Sequence, residues 1–314
     1  MAANILYFEN KKGVVTVLSE QGQVSFKQPR GVAYESQGYF VATDLNQRAD
    51  LLFVQNKGCS LKDWVEQTFG DRTPVESTNK AGVRYKRIAR PVTHGPLSPD
   101  PSMQEKQNGA FVALRILLDK LEQVFETVDP DAAHAMVYGH RIRELLLLAC
   151  MEVESSWKAV LEENGYARLR FTTNDYVKLL RPMILDSYEV SLQAYTVYPI
   201  FRPFEKWDAA NPTQSLTWYD GYNKTKHDRE QNLRLASLDN AIKAVGAVVV
   251  MFYAQFGIHS FVKDDQMKRI IENTVRVETK GLDAYERDFY VTLWVKRDNS
   301  ISAFQPWNFE NYPF

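Results

Sequence analysis

Cysteine is nearly missing from this sequence of 314 residues: Cys59 and Cys150 are the only two. They stand far apart and outside any Cys-x-x-Cys pair, so no disulfide framework is expected, and the chain reads as a protein of a reducing cytoplasm. The five histidines, His94, His134, His140, His227 and His259, form no i, i+4 pair and have no cysteine neighbour of zinc-site spacing. No metal and no cofactor is expected. Charge of one sign is missing too: the net charge is −1 and the sequence pI about 6.5, so nucleic acid would have to be held by a local patch. The longest apolar run, Ala244 to Ala254, falls well short of the ~20 residues that span a bilayer, and the N-terminus lacks the basic flank and apolar core of a signal peptide. Neither a membrane partner nor secretion is expected.

What the sequence has in quantity is apolar and aromatic residues, 45% and 12%, enough for a large core. Short β-rich runs lead the chain: Gly13 to Leu18, Gln23 to Phe26 and Gly38 to Ala42, with a hairpin turn at Gln21-Gly22. A short helix follows from Leu61 to Phe69. Gly70 to Lys106 reads as a linker, with Pro91, Pro96, Pro99 and Pro101 and a basic run, Arg84 to Arg90, that scattered surface charge explains. From Asn108 the period becomes helical: Phe111, Leu114, Leu117, Leu118, Leu121, Val124 and Phe125 recur at three- and four-residue spacing. A second helix is expected from Pro130 to Asn164, a strand from Tyr188 to Tyr198, and one long helix from Tyr222 to Phe256. A helix around Asp264 to Glu272, a strand from Phe289 to Val295 and a turn at Asp298-Asn299 close the list. The expected fold class is α+β, mainly α: a helical-bundle core with β-rich N- and C-terminal segments. The expected domains are 1–106 (β-rich segment plus linker), 107–260 (helical bundle) and 261–314 (helix and strand packed on the body), with a sheet shared between the two ends.

Two features of the helical part carry chemistry. Glu152 falls beside the apolar stripe Ile142, Leu145, Leu146, Ala149, Val153, Trp157 and Val160, where a carboxylate needs a cationic or hydrogen-bonding partner. The stretch after Trp218 supplies candidates: Tyr222, Asn223, Lys224, Lys226, His227 and Arg229 fall within eight residues. Placed where a loop enters a long helix, they would meet unpaired backbone N–H groups and partial positive charge, a setting for an anion. Asn223 and His227 would share one helix face.

Long helices with such a motif resemble the HEPN superfamily of prokaryotic toxin and antiviral systems, whose signature is Arg followed after four to six residues by His, often Arg-Asn-x-x-x-His. Here the stretch is Tyr222-Asn223-Lys224-Thr225-Lys226-His227, with Tyr222 at the arginine position, and the resemblance covers roughly residues 108 to 260. It implies RNA as partner, a homodimer with the site built across it, and metal-independent endoribonuclease activity in a defence or toxin–antitoxin setting. Under that implication His227, Asn223 and Arg229 are catalytic candidates: His227 moves the proton of a ribose 2′-hydroxyl or of the departing 5′-oxygen, Asn223 orients, and a cation steadies the phosphorane. Tyr222, Lys224, Lys226, Trp218 and Glu152 are substrate-binding candidates. The competing reading is a non-catalytic scaffold or interaction module in which the cluster from Tyr222 to Arg229 is structural; a third is a small-ligand pocket lined by Trp207, Trp218, Tyr219 and Tyr222.

Overall fold

The computed structural model describes residues 2–19, 22–44, 51–90, 101–257, 265–280, 290–297, 300–304 and 306–314. Gln21, Pro91, His94, Pro96, Pro99, His259, Asp264, Phe289 and the turn at Asp298-Asn299 lie outside the described residues. The chain divides into two compact units: Met1–Tyr85, Arg90–Ser98 and Asp283–Glu310 form one, Lys86–Ala89, Pro99–Leu282 and Asn311–Phe314 the other.

The first unit opens with β1 (Ala3–Glu9), β2 (Val15–Ser19), β3 (Gly22–Phe26), β4 (Arg30–Ser36), β5 (Tyr39–Asp44), β6 (Leu51–Gln55), α1 (Leu61–Phe69), β7 (Val75–Ala81) and β8 (Val83–Tyr85). Five of these strands make an antiparallel sheet in the order β6-β5-β4-β1-β7, and β2 pairs with β3 as a separate hairpin. Alternation along the strands sends apolar side chains to both faces. On one face Phe8, Ala33, Phe40, Ala42 and Leu52 pack against Trp64, Val65 and Phe69 of α1 and against Val15 and Phe26 of the hairpin. Ser60 starts α1, its side chain accepting a hydrogen bond from the Asp63 N–H, and Gly70 ends it at φ +79°.

The second unit begins with α2 (Gln104–Phe125), whose seven expected apolar residues are all buried. It continues through α3 (His140–Glu163), α4 (Thr173–Tyr176), β9 (Tyr188–Leu192), α5 (Thr217–His227), α6 (Arg229–Asn232), α7 (Leu238–Phe256), α8 (Asp265–Thr274) and β10 (Val275–Thr279). Helix α7 is the hub, with α2, α3 and α5 packed on it and β9 paired to β10 alongside. Each fully buried Leu or Phe contributes ~1.5–3 kcal/mol, far more than the ~0–1 kcal/mol of an exposed ion pair. The pairs Lys106–Glu163 and Lys120–Glu144, which join α2 and α3 in antiparallel order, therefore add little to what apolar packing supplies.

The chain then returns to the first unit with β11 (Trp294–Arg297), β12 (Ser300–Phe304) and β13 (Asn308–Glu310). Val291, Leu293 and Val295 cover the second sheet face, against Ile5, Tyr7, Val32, Tyr34, Val41 and Phe53. The Tyr34 hydroxyl fixes the register: it donates to the Thr292 carbonyl at 2.9 Å and accepts from the Trp294 N–H at 2.9 Å. Gly82 permits the crossing, since at φ +80° a Cβ there would lie 2.8 Å from Leu293 Cβ.

Several expectations change. A helical-bundle core with β-rich terminal segments does not describe this protein: among the described residues it is mixed α+β, 44% helical and 24% strand, with a five-stranded antiparallel sheet in the N-terminal region and eight α-helices. The physical reason is that the sheet is apolar on both faces and so builds a core of its own. The two ends do share a small sheet, since β13 pairs in parallel with β8, while Val291, Leu293 and Val295 lie on a face of the five-stranded sheet and do not extend it. The expected linker contains β7, an edge of the sheet, and β8. The basic run is not scattered surface charge: Arg84 and Arg90 are buried, Arg84 against the rings of Tyr290, Trp307 and Phe309 and Arg90 against Tyr290. The second helix starts later than expected, at His140, after a 3-10 turn capped by Asp131.

Tyr34→Phe keeps the ring and removes both hydrogen bonds to the returning segment. It is expected to lower stability by ~1–3 kcal/mol in urea unfolding, with the helical content of the folded protein unchanged by circular dichroism.

Candidate functional site

The expected single helix from Tyr222 to Phe256 is broken into α5, α6 and α7, and this changes the electrostatics of the cluster. Asp228 stops α5 and caps α6, accepting from the Gln231 N–H at 3.2 Å, and Ser237 caps α7 by accepting from the Asn240 N–H. The Thr225 hydroxyl ties the break together, at 2.7 Å from the Gly221 carbonyl and 3.1 Å from that of Asn232. The fold-back is tight: a Cβ on Gly221 would sit 2.9 Å from the Leu235 carbonyl and 2.8 Å from Asn240 Nδ2. Lys224, Lys226 and His227 consequently occupy the last turn of α5, the negative end of its dipole, which they complement. The expected long helix start is therefore not here: the cluster closes α5, and Arg229 opens only the four-residue α6, whose first turn is already capped by the Asp228 carboxylate. Any anion would be held by the side chains.

The face that α5 turns to α3 is aromatic and closed by hydrogen bonds. The Tyr219 hydroxyl donates to Glu154 at 2.6 Å, Tyr222 reaches the other oxygen of that carboxylate at 3.5 Å, and Lys226 Nζ donates to the Tyr222 hydroxyl at 3.0 Å. Burial, with the nearby Glu154 charge, pushes the Tyr219 and Tyr222 hydroxyls above the usual phenol range, so both stay protonated. The hydrogen bond to Tyr222 raises Lys226, which stays cationic. Behind them Trp157 stacks on Trp207 at 4.8 Å and touches Trp218 and Tyr219. Trp207 and Trp218 donate to the carbonyls of Pro212 and Pro203, and Trp157 Nε1 is buried without a partner among the described residues. The four residues of the small-ligand reading, Trp207, Trp218, Tyr219 and Tyr222, are each 4% exposed or less and fill the space themselves.

Each candidate residue can now be placed. Trp218 and Tyr222 are core; Asn223 is half-buried, its side chain donating to the Tyr219 carbonyl at 3.2 Å. Lys224 is exposed and paired with Asp220 at 2.6 Å. His227 and Arg229 are exposed, and among the described residues their side chains have no hydrogen-bond or ion-pair partner. Asn223 and His227 lie one turn apart on α5, as expected from their spacing.

Glu152 is elsewhere, and the carboxylate beside the cluster is Glu154. The charge opposing Glu152 is Arg87, from the short segment Lys86–Ala89. That segment is pinned by Asn164 Nδ2 donating to the Lys86 carbonyl and the Ala89 N–H donating to the Ala254 carbonyl, both at 2.8 Å. Arg87 donates to Gln255 and lies 5.7 Å from the Phe256 ring centre. Burial raises the Glu152 carboxyl above its ordinary value, with Arg87 offsetting part of the shift; burial lowers Arg87, with Glu163 and Glu152 opposing. The sequence reading named Tyr219 only as the lining of a small-ligand pocket and Arg87 only as part of a run of surface charge. The helix face that Trp218, Tyr219 and Tyr222 share was the signal for the first, whereas Arg87 depends on tertiary placement.

Among the described residues no group of three or more His, Cys, Asp or Glu side chains is placed to hold a metal ion, and no helix is long and apolar enough to cross a membrane.

The raised Glu152 carboxyl makes a pH test. An acid whose folded pKa lies above its unfolded value, ~4.3, costs stability as pH rises through that window, and the cost is absent below it. Glu152→Gln is therefore expected to melt at a higher temperature than the parent at pH 7 and at the same temperature at pH 3.5, because the net shift already includes the attraction of Arg87. No family model matches this chain, and neither a curated protein nor a solved structure matches it.

Proposed function

We propose that the chain is a HEPN-like protein of a prokaryotic defence or toxin–antitoxin system that engages RNA at the end of α5 and cleaves it without metal. The observation that carries this reading is the state of His227: exposed, unpaired among the described residues, one turn from Asn223 and flanked by Lys224, Lys226 and Arg229. An accessible imidazole amid cations suits a phosphodiester. His227 takes the proton of the ribose 2′-hydroxyl as that oxygen attacks phosphorus. The bond from phosphorus to the 5′-oxygen breaks, and the leaving oxygen takes a proton from solvent or from His227 of a second copy. The products are a 2′,3′-cyclic phosphate and a 5′-hydroxyl. Arg229 and Lys226 stand near enough in sequence to balance charge on the phosphorane, and Asn223 orients the phosphate.

A second reading has its own observation. At the arginine position of the family motif stands Tyr222, fully buried and directed at Glu154, which favours a non-catalytic scaffold whose cluster serves the fold.

The readings separate when the full chain, His227→Ala, Arg229→Ala and Tyr219→Phe are each incubated with total RNA in excess EDTA. The nuclease reading expects fragments ending in 2′,3′-cyclic phosphate and a loss of ~10²–10⁴-fold in His227→Ala. Its stability should stay within ~0.5 kcal/mol of the parent, as for other exposed side chains. No cleavage by the parent, together with a loss of ~1–3 kcal/mol of stability in Tyr219→Phe, leaves the scaffold reading standing.

A further inference from the structure

Helix α3 has two seams. One, from Ile142 to Leu161, is buried; the other faces solvent, and every position in it from Arg141 to Glu162 is exposed. The centre of this outer seam is Leu148, Met151 and Ser155, with Arg141 and Glu144 before it and Lys158 and Glu162 after it, successive members being alternately three and four residues apart. That spacing is the ~3.5-residue repeat with which one helix lies along another. Leu148 is 37% and Met151 57% exposed, and Val112 and Ile116 on the outer side of α2 are each 47% exposed. The ion pairs that align α2 antiparallel to α3 set those two residues beside the middle of the seam.

We infer that this face is a two-fold interface between two copies of this chain, α3 lying antiparallel to its counterpart with the axis at Met151. The order of charges singles out the occupant. Rotation about Met151 sets Glu144 opposite Lys158 of the other copy, Arg141 opposite Glu162, and Leu148 opposite the small Ser155. Each contact occurs twice, as an isologous interface requires. A parallel arrangement sets Arg141, Glu144 and Lys158 each against its own like charge. Within one copy Glu144 is paired with Lys120 at 2.9 Å and Lys158 with Glu162 at 3.6 Å, so the cross-copy contacts extend existing pairs into a network. The size is adequate. A helix of 24 residues is ~36 Å long, and with a neighbour ~10 Å away the face covers on the order of 700 Å², near the ~800 Å² per partner of a standard interface. The inference goes beyond the RNA reading and stands without it.

Light scattering on the full chain during size exclusion, from ~1 to ~100 µM, tests it. The parent is expected to be a dimer. Met151→Lys, which sets two ammonium groups at the axis, is expected to weaken it by ~30-fold or more, as loss of a central contact does, with the melting temperature of the fold retained in a urea-free thermal scan at low concentration. Glu144→Lys and Lys158→Glu alone should each weaken the dimer, and the two together should restore it. A monomeric parent over the whole range, a dimer indifferent to Met151→Lys, or a double exchange that fails to restore association overturns the inference.

Discussion

Burial of α7 is the constraint from which the helical unit follows. Of its side chains only Asp239, Asn240 and Lys243 are not buried, and those lie in its first two turns. Such a helix needs apolar cover on every side. α2, α3 and α5 and the β9–β10 pair supply it, and each in turn has to present one apolar stripe inward. The small residues of α7 set how close they come: a Cβ on Gly246 would lie 2.7 Å from the Phe201 ring, so the segment that bridges to Val190 rests directly on the helix backbone.

The residues around Glu154 show how far chemical appearance and role can separate. Tyr222 and Lys226 look like ligand contacts in a motif, yet they close a hydrogen-bonded path from α5 to a carboxylate on α3. A carboxylate half-buried among rings is tolerable because two hydroxyls and a nearby ammonium face it. What remains outward without a side-chain partner among the described residues of the cluster is a narrow set, His227 and Arg229, with Asn223 behind them. The functional proposal is confined to the helix end, where the fold makes no demand on the side chain.

Periodicity made α2 readable residue by residue, and the inward stripe of α3 as well, because one burial direction leaves a 3.6-residue signature that no other arrangement produces. The alternation of Tyr188, Val190 and Leu192 located β9 for the same reason. The break between α5 and α7 was harder to see, since the apolar pattern of α7 extrapolates smoothly backward over it. The local evidence lay in two caps, Asp228 with Gln231 and Ser237 with Asn240, whose side-chain and backbone pairings outweigh continuation of the helix. In the first unit local pattern gave α1 and the β2–β3 hairpin, but the way the strands assemble was not legible. Nothing local tells Val291, Leu293 and Val295 that their partners stand more than two hundred positions earlier, and nothing in Arg84 to Arg90 announces that two of its guanidinium groups are buried against rings. Candidate residues at the site were placed by spacing, which the helix preserved, whereas their exposure depended on which neighbour folded over them.

That long-range closure bears on the order in which the molecule can be made. The strands up to β8 leave the ribosome before the helices α2 to α8, and one side of their sheet stays uncovered until Tyr290 to Val295 emerge, after those helices have been synthesised. In the interval the nascent sheet presents Val32, Val41 and Phe53 to the cell, the kind of surface that chaperones hold.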